Sequence, residues 1–275
     1  MRIQNTKSKT LSKLGIFLIA MSVISFIIFY LVTMISNQGY RYIDVDTLEL
    51  IQTEEIPEGS PTAIITTSIG EIRAVLYPEY APETVAQFIA LAEDGWYDNT
   101  YVFEAKNNAY FAAGSIDKQG NLPNYTPESQ EKLPLELHQN LWSFRGALCS
   151  LTTETDTSFT KRLFKTEVNY TGSRFMILNS IDFSDEEFLK QFQEASGNEE
   201  LANAFITRGG VPNFAQQITV FGQAYSGLDV IEQICSAKLL DTNTLGYTAP
   251  EEDIFIISIE ISEYDTQDAI LNELS

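Results

Sequence analysis

A long uncharged run near the N-terminus constrains this chain more than any other feature. Residues 15–34 contain no Asp, Glu, Lys or Arg, and about 20 mostly apolar residues are what a helix needs to span the hydrocarbon core of a bilayer. Only basic charges precede the run, within residues 1–14. The positive-inside rule therefore predicts a cytoplasmic N-terminus, a single transmembrane anchor, and residues 35–275 outside the cytoplasm.

A cleaved signal peptide is the alternative explanation of this run. Such a peptide has a shorter apolar core and small residues at an Ala-x-Ala-like cleavage site, whereas this run continues into Ile-Ser-Asn-Gln-Gly-Tyr at residues 35–40. No cysteine near its end offers a site for a lipid anchor. The sequence therefore favours an uncleaved anchor and localisation in the cell membrane.

Charge and cysteine content exclude several function classes. The chain carries a net charge of −21, which makes nucleic acid an unfavourable partner because phosphate contacts need Lys and Arg. A single His and the lack of a Cys-x-x-Cys pattern argue against a metal site. We expect no cofactor. Cys149 and Cys235 fall in apolar surroundings and are predicted to be buried thiols rather than a disulfide.

Residues 169–177, which read Asn-Tyr-Thr-Gly-Ser-Arg-Phe-Met-Ile, are predicted to form a turn that passes into a strand. Side chains alternate between the two faces of a strand, so Arg174 and Met176 share one face while Phe175 and Ile177 share the other. A cation beside an apolar side chain would suit the floor of a peptide-binding groove. An ordinary strand whose arginine reaches solvent is the alternative.

Four ordered motifs resemble those of the cyclophilin family of peptidyl-prolyl isomerases. Residues 144–151 read Phe-Arg-Gly-Ala-Leu-Cys-Ser-Leu, residues 172–177 read Gly-Ser-Arg-Phe-Met-Ile, and residues 218–224 read Ile-Thr-Val-Phe-Gly-Gln-Ala, followed by Gly-Leu-Asp-Val-Ile at 227–231. The resemblance implies a mainly β fold, a closed antiparallel eight-stranded barrel capped by two α-helices.

The resulting domain prediction combines changes in composition with the extent of the resemblance. Residues 1–14 form the cytoplasmic N-terminus, 15–34 the anchor, 35–60 a polar stalk, 61–264 the cyclophilin-like domain and 265–275 an acidic tail. Within the domain we predict a first hairpin at 63–76, capping helices at 81–95 and 229–237, a helical insertion at about 182–210 with Ser184 as its N-cap, and a closing strand at 254–261.

The resemblance also shows where this chain departs from the family. Ungapped spacing from Phe103 to Gly114 puts Ala105 at the position of the catalytic arginine and Ala113 at that of its assisting glutamine. Asn213 and Ile218 take the places of a pocket tryptophan and histidine, whereas His138 is predicted to be structural. Several polar groups are therefore missing together.

An apolar lining and one possible donor remain. The resemblance puts Phe111, Met176 and Phe214 in the proline pocket, and Arg174 could replace the missing guanidinium, whereas Lys106 should point away from the face of Ala105. The resemblance thus implies a weak isomerase, and the predicted anchor implies that it acts on proline-containing segments of exported or surface proteins. A non-catalytic peptide-binding chaperone is the first alternative, and a purely structural barrel is the second.

Overall fold

The structure is a computed structural model that describes residues 43–44, 47–106, 109–121, 132–156 and 168–266, together with Met21 and Ser25. The chain separates into two compact units, and the larger one comprises residues 44–155 and 169–275. The predicted anchor, apart from Met21 and Ser25, and most of the predicted tail lie outside the described residues. Among the residues described, no helix is both long and apolar enough to cross a membrane.

In the described part of the larger unit, nine strands form one sheet that closes on itself. Their order is β4-β3-β9-β1-β2-β8-β6-β7-β5, and β7 also pairs with β4. The strands are β1 (Pro61–Thr67), β2 (Glu71–Leu76), β3 (Thr100–Lys106), β4 (Tyr110–Ser115), β5 (Leu133–Pro134), β6 (Ala147–Asp156), β7 (Val168–Leu178), β8 (Val220–Ser226) and β9 (Phe255–Glu263). The short β5 extends the edge of β7, so eight strands form the closed barrel, as predicted.

The first hairpin shows how local sequence begins the barrel. β1 and β2 pair antiparallel from Thr62 opposite Val75 to Thr66 opposite Glu71. At the turn, the Thr67 hydroxyl donates to the carbonyl of Gly70 and accepts from its N–H. These bonds satisfy the turn backbone, which a short loop must otherwise expose. The predicted hairpin is confirmed.

Two helices pack their apolar faces into the barrel core. They are α1 (Pro82–Glu93), which begins with proline at its first turn, and α4 (Leu228–Cys235). Val85 and Phe88 of α1 and Ile231 and Ile234 of α4 belong to the same buried cluster as the inward-facing side chains of the strands. Each helix therefore buries one apolar stripe, which confirms the two predicted capping helices.

The predicted insertion consists of α2 (Glu186–Ser196) and α3 (Glu199–Arg208). The N-cap of α2 is Asp185, whose carboxylate accepts from two backbone N–H groups of the first turn, and not Ser184 as predicted. Ser184 instead donates its hydroxyl to Asp182. The insertion is joined to the barrel through Phe205 of α3, whose ring packs on Phe144 at 4.7 Å between centroids.

The end of the predicted stalk packs on the barrel. The side-chain amide of Gln52 donates to the Trp142 carbonyl at 2.9 Å and to Gln223 Oε1 at 2.8 Å, and its Oε1 accepts from the Trp142 N–H at 2.6 Å. Gln52 is itself buried. Residues near it are therefore part of the folded unit rather than a free spacer.

Two apolar clusters lie on opposite faces of the barrel wall. The inner cluster fills the barrel and contacts α1 and α4, and the outer cluster lies under the loops that cross β4, β6 and β7. Cys149 belongs to the outer cluster and Cys235 to the inner one, and both are free and buried. Both cysteines are thus buried thiols, as predicted, and burial raises the pKa of each thiol.

Candidate functional site

The outer face of β7 carries the cation and apolar side chain that the sequence predicts. Phe175 and Ile177 belong to the inner cluster, whereas Met176 and Leu178 belong to the outer one. β4 pairs with β7 so that Ala112 lies opposite Met176. Strand alternation therefore brings Arg174, Met176 and Leu178 to one face, next to Ala112 and Tyr110 of β4.

A bulge in β3 decides which of its side chains reach this face. Val102 pairs with Ala113 and Glu104 pairs with Ala112, so that Phe103 is an extra residue in β3. An extra residue of this kind sends two consecutive side chains to the same side of the sheet. Phe103 accordingly lies in the outer cluster, and Glu104 follows it on the same side.

The bulge changes the predicted role of three residues. Ala105, Phe111 and Ala113 belong to the inner cluster and have no exposed surface. They do not line the outer face, although ungapped spacing placed them in the groove. The residue of β3 that stands at this face in place of Ala105 is Glu104, a carboxylate.

Arg174 is held by the protein itself. Its Nη1 donates to the Gly120 carbonyl at 2.6 Å and to the Tyr247 hydroxyl at 3.3 Å. The guanidinium carbon lies 5.4 Å from the centroid of the Phe103 ring and 5.7 Å from that of Tyr247. Arg174 is only 8% exposed, and its Nε is buried without an acceptor among the described residues.

Gly120 makes this arrangement possible. Its φ is +83°, and a Cβ at this position would lie 2.7 Å from the Tyr247 ring. A glycine tolerates both the left-handed backbone and the close ring. The loop of Gly120 can therefore approach Arg174 while Tyr247 covers the guanidinium from the other side.

A buried carboxylate stands beside this arginine. Glu104 is 5% exposed, lies 3.5 Å from Lys106 Nζ and accepts a hydrogen bond from Tyr110. Burial raises the pKa of Glu104, while Lys106, Tyr110 and Arg174 oppose the shift. Burial, reinforced by the neighbouring carboxylate, likewise raises the pKa of the Tyr110 hydroxyl. The centre of the face is therefore a network of opposite charges rather than an open guanidinium.

Aromatic side chains cover the apolar part of the face. The rings of Phe214 and Tyr110 lie 5.6 Å apart, and Met176 is only 4% exposed. Asn213 is exposed and Ile218 is half-buried beside the outer cluster. The structure thus brings Arg174, Met176 and Phe214 to one face, but a ligand must contact the covering rings or displace them.

His138 lies in a loop between β5 and β6. Its Nδ1 accepts from the Asn140 N–H at 3.2 Å, and its ring packs edge-on against Tyr80 at 4.7 Å. These contacts hold the loop in place and agree with the predicted structural role of the histidine.

Sequence reasoning missed three residues of this face. Glu104 had a usable signal, because a charged residue between Phe103 and Ala105 in an otherwise apolar strand is unusual. Tyr110 directly precedes Phe111, which was predicted to line the pocket. Only the register of β4 against β7 shows that the side chain of Tyr110 points outward instead. Tyr247 comes from the loop between α4 and β9, and nothing local connects it to Arg174.

Comparisons with known proteins cover most of this chain. A family model described as cyclophilin type peptidyl-prolyl cis-trans isomerase/CLD matches residues 62–261. A putative peptidyl-prolyl cis-trans isomerase of Staphylococcus aureus is 24% identical over 212 residues, covering 76% of this chain and 96% of that protein. A putative bifunctional phosphatase/peptidyl-prolyl cis-trans isomerase of Streptococcus pyogenes is 27% identical over 203 residues, 73% of this chain but only 38% of that protein.

A solved structure shows the same fold. A cyclophilin type peptidyl-prolyl cis-trans isomerase of Cryptosporidium parvum, crystallised in the presence of the dipeptide Ala-Pro, has a TM-score of 0.51 and 16% identity. The likeness covers 74% of this chain and 99% of that one. At this identity the similarity concerns the fold alone.

Proposed function

Because this chain belongs to the cyclophilin-type peptidyl-prolyl cis-trans isomerase family, we propose that it is a prolyl isomerase of low activity acting on proline-containing segments of other proteins. The observation that carries the proposal is the family match over residues 62–261, which runs from β1 into β9. The outer face of β3, β4 and β7, defined by Glu104, Tyr110, Arg174 and Met176, is the proposed substrate face.

Low activity follows from the chemistry of this face. Isomerisation must cross a barrier of ~18–20 kcal/mol, because the amide loses resonance when it is twisted. An enzyme accelerates it by binding the twisted amide best, with an apolar surface for the ring and a donor for the freed nitrogen lone pair. Met176 and Phe214 can supply the surface. The guanidinium of Arg174 is already bonded to Gly120 and covered by Tyr247.

A rate measurement tests the proposal. Purified full-length protein should accelerate cis-trans exchange of an Ala-Pro peptide, as observed by exchange NMR. The rate should lie ~10²–10³-fold below that of a family member that keeps the arginine, because losing one well-placed donor typically costs this much. A rate equal to the uncatalysed one at every protein concentration would contradict the isomerase proposal.

A non-catalytic peptide-binding module is the second candidate. The observation that favours it is Glu104, because a carboxylate stands where the chemistry needs a donor and cannot provide one while ionised. The two candidates differ in one measurement made on the same sample. A binder would shift the NMR signals of the peptide in a saturable way without changing its exchange rate.

For localisation, we propose a single-pass membrane anchor with the barrel outside the cytoplasm and exported or surface proteins as clients. The uncharged residues 15–34 and the basic residues before them support this proposal. Protease added to intact cells should degrade residues 40–275, and the full-length chain should fractionate with membranes. Recovery of a secreted form that begins near residue 36 would contradict an uncleaved anchor.

A further inference from the structure

A cavity of about 340 Å³ lies beside the corner that follows β2. Its walls come from residues 51–61 on one side and from residues 75–80 on the other. The lining is largely apolar and includes Ile51, Ile56 and the rings of Tyr77 and Tyr80. Its volume is at the lower end of the range of ligand sites, about 300–1,000 Å³, and suits one or two large side chains.

The cavity is distinct from the proposed substrate face, and one wall lies outside the family match. It shares no lining residue with the face of Glu104, Tyr110, Arg174 and Met176. The wall formed by residues 51–61 precedes the family match, which begins at residue 62. The cavity therefore lies between the barrel and a segment that precedes the family match.

Hydrogen bonds fix this additional segment at both ends. At one end, Gln52 bonds to the backbone of Trp142 and to the side chain of Gln223. At the other end, the Gly59 N–H donates to the Tyr264 carbonyl at 2.9 Å, and the Tyr264 N–H donates to the Ser60 carbonyl at 2.8 Å. The wall is held in place before any ligand binds, which lowers the entropic cost of binding.

Three carboxylates lie at the rim of the cavity. Glu54, Glu55 and Glu79 are exposed lining residues, and none of the lining residues that the structure describes is basic. The nearby Arg208 donates to the carbonyls of Gln52 and Thr53. Carboxylates at the rim and tyrosine faces within favour a cation next to an apolar group.

We propose that this cavity binds a short peptide segment of another protein in which an aromatic or aliphatic side chain is flanked by lysine or arginine. The apolar side chain enters between Ile56 and Tyr77, and the basic residues face Glu54, Glu55 and Glu79. A site of this size fits a short linear segment. That segment need not contain the proline that the substrate face is proposed to select.

Fluorescence anisotropy with purified full-length protein tests this proposal. The probe is fluorescein-labelled Lys-Lys-Phe-Leu-Lys-Lys, with Glu-Glu-Phe-Leu-Glu-Glu as the opposite-charge peptide. The basic peptide should bind, more weakly at high salt, and the acidic peptide should not. Glu54→Gln combined with Glu55→Gln should weaken binding about three- to tenfold, as expected for two exposed charge contacts. Glu93→Gln, which neutralises an exposed carboxylate on α1, is the control for removing a charge elsewhere on the surface and should leave the affinity unchanged.

A second variant addresses the apolar part of the site. Ile56→Lys puts a like charge into the half-buried wall and should abolish binding of the basic peptide, while the rate of prolyl isomerisation should not change. Equal binding of both peptides, or equal loss in the Glu93→Gln control, would overturn the proposal. So would protein self-association that the same variants abolish, since it would assign the cavity to a second copy of this chain.

Discussion

Replacing Arg174 by alanine distinguishes a structural arginine from a catalytic donor. The hydrogen bond to Gly120, made by a charged donor at 2.6 Å, belongs to a class that contributes ~1.5–3 kcal/mol. Contacts with the rings of Phe103 and Tyr247 belong to a class worth ~0.5–2 kcal/mol each when partly desolvated. Because these contacts share one guanidinium, their energies do not simply add. We expect Arg174→Ala to lower the free energy of unfolding by about 3–5 kcal/mol.

Thermal unfolding followed by circular dichroism measures this loss. For a domain of this size, 1 kcal/mol lowers the Tm by ~2–4 °C, so the variant should melt about 6–20 °C below wild type. The control is Arg73→Ala, which removes a half-buried arginine that pairs with Glu71 on β2 and should cost less than ~1 kcal/mol. A Tm within a degree of wild type, together with a ~10²-fold loss of isomerase rate, would refute the structural role and identify Arg174 as the donor.

Three further predictions follow from the same contacts. Burial raises the pKa of Glu104 above 4.5, so the folded chain keeps this proton at pH values where the unfolded chain has lost it. In urea unfolding at several pH values, the stability of wild type should therefore fall relative to that of Glu104→Gln as pH rises from below 4.5, and then level off. A constant difference in stability would argue against the shift. Ala105→Arg puts a guanidinium into the inner core and should prevent folding, because burying this charge should lower the free energy of unfolding by more than ~4 kcal/mol. Lys106→Arg at the exposed neighbouring position should fold, and size-exclusion chromatography can compare the two variants. Gln52→Ala leaves the Trp142 N–H without its acceptor and should cost ~1–3 kcal/mol in chemical unfolding; an unchanged midpoint would mean that the segment is not docked in solution.

Local signals in the sequence were sufficient for the helices and the first hairpin. The stripe of Val85 and Phe88 and the turn at Gly70 depend on residues close in the chain, and both features are confirmed. Closure of the barrel depends on pairing between β4 and β7, which are far apart in sequence. That part of the prediction rested on the resemblance between ordered motifs rather than on any local pattern.

The inner position of Ala105 could not be predicted from spacing. β3 is bulged because it pairs with β4 on one side while, on the other, the Val102 N–H donates to the Ile254 carbonyl and the Ala105 N–H donates to the Thr248 carbonyl. A single extra residue exchanges the two faces of a strand. The outward position of Glu104 and the inward position of Ala105 both follow from these distant partners.

The cover over Arg174 and the docking of Gln52 have the same origin. Tyr247 and Gln52 each contact residues more than 70 positions away in the chain, and neither residue belongs to the four motifs that carry the resemblance. A sequence pattern can predict that Arg174 and Met176 share a face, since that depends only on strand alternation. It cannot predict which loop covers that face.

Methyl NMR of Met176 provides the most direct test of the central claim, which is that proline-containing peptides bind and isomerise at the outer face of β3, β4 and β7. The chain has four methionines, and Met176 is the only one beyond residue 34, so ¹³C-methyl-methionine labelling gives a single reporter within the barrel. An Ala-Pro peptide should shift the Met176 methyl signal in a saturable way and show slow, catalysed cis-trans exchange in the same sample, whereas an Ala-Ala peptide should do neither. A peptide that isomerises rapidly while the Met176 signal stays unchanged would contradict the account.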